Sequence, residues 1–109
     1  MAAQLIYSTW PDDERASACA RALIEQRLAA CVTILPGALS TYRWEEKIQQ
    51  EREVVMLAKT DATRAVALRD AILAAHPYNL PCILSVQLES TASNIAFLHW
   101  VASETDTAM

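Results

Sequence analysis

Apolar residues along the chain fall into two rhythms, one suited to strands and one to helices. Gln4 to Ser8 is short and apolar, bounded by Thr9 and Pro11, which predicts a buried first strand. Asp12, Asp13 and Glu14 follow, and acids there favour a helix start, where free N–H groups and the dipole attract negative charge. Ala16, Cys19, Ala20, Leu23, Ile24 and Arg27 recur at helical spacing and predict one buried face, with Cys19 as core filler. From Cys31 the segment CVTILPGALSTYRW is rich in β-branched and aromatic residues. Its Pro36-Gly37, with the only glycine, predicts a type II turn or a bulge, and a proline inside a strand predicts a sheet edge.

Glu45-Glu46 reads as a hairpin tip, and Ile48 to Thr60, with its nearly unbroken VVMLA, as a central strand. Asp61 to Ala75 predicts a second helix packed through Ala65, Leu68, Ile72 and Ala75, with Arg64 and Arg69 turned elsewhere. Ile83 to Leu88 alternates as a half-buried strand, with Ile83, Ser85 and Gln87 on one side and Leu84, Val86 and Leu88 on the other. Thr91 or Ser93 is expected to cap a final helix through Trp100, and Ser103 to Met109 to fray.

The order β-α-β-β-α-β plus a terminal helix predicts a single α+β domain over residues 1–109, with a ferredoxin-like antiparallel sheet and both crossover helices on one face. The two middle strands are longer than so small a sheet needs. Their overhanging hairpin requires a cover, and another subunit is the expected one.

Composition sharpens that expectation. The apolar content of 53% exceeds the usual range of about 45–50%, and the surplus suits a subunit interface. A net charge of −4 without a Lys/Arg cluster argues against nucleic acid. No apolar run approaches a membrane span and the N-terminus lacks a signal pattern, so a cytoplasmic protein with no membrane partner is expected. Three widely spaced cysteines, Cys19, Cys31 and Cys82, fit free thiols rather than a disulfide framework or a closed zinc site.

The candidate chemistry gathers in HPYNLPC, residues 76–82. His76 suits a helix C-terminus and Pro77 stops the helix, yet His76, Tyr78 and Cys82 together also offer soft ligands for copper or zinc. Tyr42 and Trp44 share one face of a strand and make either a ligand platform or an interface. Lys59 can hold an anion or pair with Glu53. His99 reads as an ordinary, partly exposed residue. No GxSxG, HExxH, P-loop or Rossmann pattern is present, and no enzyme is expected.

The stretch AACVTILPGALSTYRWEEKI, the spacing E-x-x-x-L-x-K-T from Glu53 to Thr60, the HPYNLP connector and a late Trp100 closely resemble the CutA family, the divalent-cation tolerance proteins. The resemblance runs from Ile6 to Trp100. It implies a ferredoxin-like homotrimer, similar in build to the PII signalling proteins, that binds copper or another divalent cation. His76 is the ligand it implies, and Cys82 or Cys31, each a soft thiol, is expected to help it. A PII-like module taking a small anion at subunit clefts through Lys59, Tyr42, Trp44, Glu53 and Tyr78, or a ligand-free trimeric scaffold, are the alternatives. This chain departs from the family pattern at Arg43 for a tryptophan, Glu46 for a turn glycine and Cys82 for a glutamate. Ser8 and Ala75 stand where some members carry a cysteine and a second histidine.

Overall fold

The computed structural model describes residues 2–106. Strand β1 (Ala3–Trp10) leads into helix α1 (Asp13–Glu25), followed by two long strands, β2 (Cys31–Trp44) and β3 (Lys47–Asp61). A 3-10 turn (Ala62–Arg64) opens helix α2 (Ala65–Ala75), and strand β4 (Ile83–Gln87) and helix α3 (Ile95–Glu104) complete the order. The sheet runs β2-β3-β1-β4, antiparallel at every pairing, so each crossover skips one strand as a ferredoxin-like arrangement requires. Both crossover helices pack on one face. Ala16, Cys19 and Leu23 of α1 and Ala65, Leu68 and Ile72 of α2 share a core with Ile6, Trp10, Val54, Met56 and Ala58.

Local chemistry explains the boundaries. Asp12 caps α1 by accepting a hydrogen bond from the Arg15 N–H at 2.8 Å. At the other end Arg27 takes a positive φ of 57°, Leu28 N–H donates to the Leu23 carbonyl and Arg27 N–H to that of Ile24. This is a Schellman cap with arginine in the place glycine favours, sealed by the buried pair Leu23 and Leu28. Arg27 therefore lies beyond the helix rather than on its apolar face, and Ile24 is exposed. Ala75 is exposed too, so α2 buries three of the four positions its spacing suggested.

Pro36-Gly37 forms a bulge between Leu35 and Ala38, with Gly37 at φ 80°, on the edge strand β2. Glu45 and Glu46 turn the hairpin with φ of 49° and 67°, the pattern of a type I′ turn. The sheet's second face carries Ala3, whose parity is opposite to that of Ile6. There it is buried, as are Leu98 and Val101 of α3, outside the main core. Helix α3 begins at Asn94, whose side chain accepts from Ala96 N–H, so neither Thr91 nor Ser93 is the cap. It also continues past Trp100. Thr105 is buried and donates to the Val101 carbonyl, while Arg27 Nη1 donates to the Glu104 carbonyl at 3.1 Å, so the chain is held through Thr105. Of the tail expected to fray, residues 107–109 lie outside the described residues.

From Ala38 to Trp44 and from Lys47 to Glu53, β2 and β3 pair only with each other, because β1 ends opposite Val54. The hairpin therefore stands free of the sheet. Its root, where Glu53 leaves β1, is also where the HPYNLPC connector passes.

Candidate functional site at the hairpin root

His76 is buried at the end of α2, between the rings of Trp10 (centroids 4.3 Å apart) and Tyr78 (4.8 Å). Its φ of −80° and ψ of 135° are the extended values a residue before proline prefers. Tyr78 N–H donates to Nδ1 at 3.2 Å, which makes Nδ1 an acceptor. Nε2, 2.7 Å from the Thr9 carbonyl, therefore carries the hydrogen and donates it. Both ring nitrogens are occupied, and the neutral tautomer is fixed by its partners. In this conformation His76 has no lone pair free for a metal; it ties the connector to the end of β1.

Trp10, fully buried, donates its indole N–H to Ser8 Oγ at 2.8 Å. Ser8 thus has a structural task, satisfying an indole that burial would otherwise leave unpaired. Trp10 is the residue that sequence reasoning missed at this site. The signal was the alternation Ile6, Ser8, Trp10, which continues the strand to Pro11 instead of ending it at Ser8.

Outward from His76, the Tyr78 hydroxyl donates to Glu53 Oε2 at 3.2 Å, and the Tyr42 hydroxyl to Glu51 Oε1 at 2.8 Å. Glu51 and Glu53 share a strand face, and both phenols feel both carboxylates. Burial, then the Glu53 charge, pushes the Tyr78 phenol up to about 12. The hydrogen bond to Glu51 leads the causes that raise Tyr42. Cys82 belongs to the same neighbourhood: loss of water around its sulfur and then the Glu53 charge raise its thiol. A raised thiol is mostly protonated near neutral pH, which weakens it as a ligand.

The remaining candidates lie elsewhere. Cys31 pairs with Lys59, whereas His76 sits beside Thr9, whose strand partner is Val55, four positions away along β3. The grouping of His76, Cys82 and Cys31 around one ion does not form, because β2 carries Cys31 to the opposite end of the sheet. Lys59 is six positions from Glu53, roughly 20 Å along the strand, so that ion pair is not made either. Tyr42 pairs with Gln49, ten positions from Lys59, or roughly 33 Å. Of the residues expected to hold an anion, Tyr42, Glu53 and Tyr78 come together. Lys59 and the hairpin-tip residue Trp44 stand apart from them. Among the described residues no group of three or more His, Cys, Asp or Glu side chains is placed to hold a metal ion. His99 is exposed on α3.

Comparison with known proteins agrees with this architecture. The family profile described as CutA1 divalent ion tolerance protein matches residues 4–104. The chain is 43% identical over 99 residues to the "Divalent-cation tolerance protein CutA" of Pectobacterium atrosepticum, covering 91% of this chain and 88% of that one. It superposes on the crystal structure of CutA from Xylella fastidiosa with a TM-score of 0.90 at 43% identity, covering 95% and 98% of the two chains. On the structure of the periplasmic divalent cation tolerance protein CutA from Archaeoglobus fulgidus it superposes with a TM-score of 0.89 at 36% identity, covering 95% and 99% of the two chains. Among the described residues no helix is long and apolar enough to cross a membrane.

Proposed function

The chain belongs to the CutA1 family of divalent ion tolerance proteins, and from that premise we propose that it serves divalent-cation tolerance as a homotrimer, each chain laying its free hairpin against a neighbour. The observation that carries this reading is the hairpin itself. Leu39, Trp44 and Ile48 are 53%, 48% and 72% exposed on an arm with no partner beyond its own two strands. A lone chain gains nothing by holding such an arm in water, and a second copy is the cover that this reading assigns to it. The role is a non-catalytic one. Its place is the cytoplasm, supported by three cysteines that are all free.

The residues present do not fit a closed copper centre within one chain, since His76 is spent on two hydrogen bonds and Cys31 is distant. What one chain offers is an open pair of donors at the hairpin root, the Cys82 sulfur and the Glu53 carboxylate, with Glu51 nearby. Copper is the first candidate because a thiol is a soft donor, with other divalent cations behind it. An open pair whose thiol is held protonated gives weak, pH-dependent binding.

Calorimetric titration of the purified protein with copper(II), beside its solution mass, tests both parts. The expected mass is about 36 kDa, three chains of 12.0 kDa. Glu53→Gln and Cys82→Ser are each expected to weaken copper binding by roughly tenfold. His76→Ala is expected to leave affinity unchanged while lowering stability by about 2–4 kcal/mol, for the lost ring packing and the Thr9 carbonyl left without its donor. A folded 12 kDa species removes the trimer. Copper affinity lost in His76→Ala and kept in the other two variants removes the hairpin-root site. Stability and solution mass indifferent to every divalent cation favour a ligand-free scaffold.

A further inference from the structure

Cys31 opens β2 and Lys59 lies directly opposite it on β3, with both side chains on the sheet face away from α1 and α2. Lys59 Nζ donates to Cys31 Sγ at 3.6 Å and to Thr33 Oγ1 at 3.2 Å. No carboxylate among the described residues forms an ion pair with it; the four ion pairs there all involve arginine. A half-buried amine is thus held against a thiol by two paired strands and a threonine hydroxyl, with no acid competing for it. The other thiols lack this neighbour: Cys19 is buried among apolar residues of α1, and Cys82 lies beside Glu53.

We propose that Cys31 and Lys59 form a peroxide-responsive cross-strand pair, in which the oxidised thiol is captured by the lysine amine as an Sγ–Nζ sulfenamide. Hydrogen peroxide is the oxidant. Sγ attacks one peroxide oxygen, the O–O bond breaks, and Cys31 becomes a sulfenic acid with release of one water. Lys59 gives its extra proton to water, the freed amine Nζ attacks Sγ, the S–O bond breaks, and the departing hydroxyl takes a second proton from nitrogen and leaves as the second water. In sum, one thiol, one lysine ammonium and one hydrogen peroxide give one sulfenamide, two waters and one proton released to solvent. Sulfur loses two electrons and the peroxide gains them.

The geometry favours capture over further oxidation. A sulfenic acid condenses with whichever thiol or nitrogen it meets first. No second cysteine stands beside Cys31, whereas the amine is already in contact across a strand pair that holds both groups in register. The bond ties β2 to β3 at the end of the sheet far from the hairpin and removes the Lys59 charge. Attack by an external thiol on sulfur breaks the S–N bond, frees Lys59 and leaves Cys31 in a mixed disulfide, from which a second thiol releases the Cys31 thiol as a disulfide forms between the two external thiols. Capture shields Cys31 from the irreversible sulfinic and sulfonic acids. None of this depends on a bound cation, so the proposal stands or falls apart from the metal reading.

The experiment is mass spectrometry of the reduced, full-length protein after one equivalent of hydrogen peroxide. The expected product is lighter by about 2 Da, two hydrogens, with one cross-linked peptide joining Cys31 to Lys59 that dithiothreitol resolves. Lys59→Arg keeps the charge and removes the amine, and there Cys31 is expected to carry oxygen, gaining about 16 Da per step. The primary readout is on the unaltered protein, so it does not depend on either variant folding. The proposal is overturned by oxygen retained on Cys31 in the unaltered protein, by a two-hydrogen loss mapping to other residues or persisting in Lys59→Arg, or by a Cys31 left reduced while Cys82 oxidises.

Discussion

A histidine followed by proline looks the same in sequence whether it holds a metal or a strand end; what separates the two is the use of its nitrogens. At His76 a donor on one side and a carbonyl on the other leave nothing over. That is invisible in HPYNLPC, because the carbonyl comes from Thr9 and the stacking ring from Trp10, at the far end of the chain in sequence. Cys19, by contrast, was legible, since its place in a 3.6-residue repeat fixes it in the core without reference to distant partners. Burial pushes its thiol from the ordinary value of 9.0 up to about 11. A group raised in this way contributes stability that is whole below the unfolded value and is lost as pH climbs through the folded one. The unfolded thiol ionises near pH 9 while the folded one stays protonated, so stability falls between about pH 9 and 11, by on the order of 2 kcal/mol. Tyr78, pushed up to about 12, extends the decline upward. Cys19→Ala is expected to lose some baseline stability yet show a flatter slope between pH 9 and 11 in urea unfolding. An unchanged slope shows that this thiol is not the group responsible.

At the level of elements, order and edges followed from local rhythm. Period two or period 3.6 decides strand or helix, and Pro36-Gly37 marks both a bulge and an edge strand. The errors lie at ends, where long-range partners intervene. Helix α3 runs on to Glu104 because Arg27 reaches its last carbonyl and Thr105 is buried beneath it. Two ends also carry strain that sequence preference argues against: Arg27 in the Schellman position, and Glu45-Glu46 in a turn whose two positive φ values favour Asn-Gly. Arg27 has compensation in its bond to Glu104. The hairpin turn has no such contact, and two adjacent like charges at the tip add repulsion. Replacing the pair by Asn-Gly is therefore expected to stabilise the protein by about 1–2 kcal/mol, most of it from relief at Glu46. Thermal unfolding at fixed protein concentration reads this out. A lower melting temperature in the variant means that the two carboxylates meet cations from outside the chain.

The whole molecule is long for its size. Its extents are 47 × 28 × 21 Å, and its radius of gyration of 14.6 Å exceeds the roughly 13 Å of a compact chain of this length. The free hairpin supplies the extra length. Beyond the ground covered by α3, the sheet's second face adds exposed apolar side chains, with Leu35, Leu84 and Val86 each about half exposed. β2 and β4 leave both sheet edges open. One copy leaves these features uncovered, and the trimer proposed above would cover them. That separates the two accounts of Trp44 and Ile48, which lie on opposite faces of the hairpin near its tip. In a monomer both are ordinary surface positions, where Trp44→Glu and Ile48→Lys change stability by about 0.5 kcal/mol or less. If neighbouring chains bury them, each substitution forfeits roughly 1.5–3 kcal/mol of apolar burial and adds an uncompensated charge. The double variant is then expected to sediment as a single chain at micromolar concentration, with a melting temperature that no longer rises with protein concentration as it does for the unaltered protein. Identical sedimentation and melting for the two proteins place the hairpin outside any interface, and the length of the molecule then needs another cause.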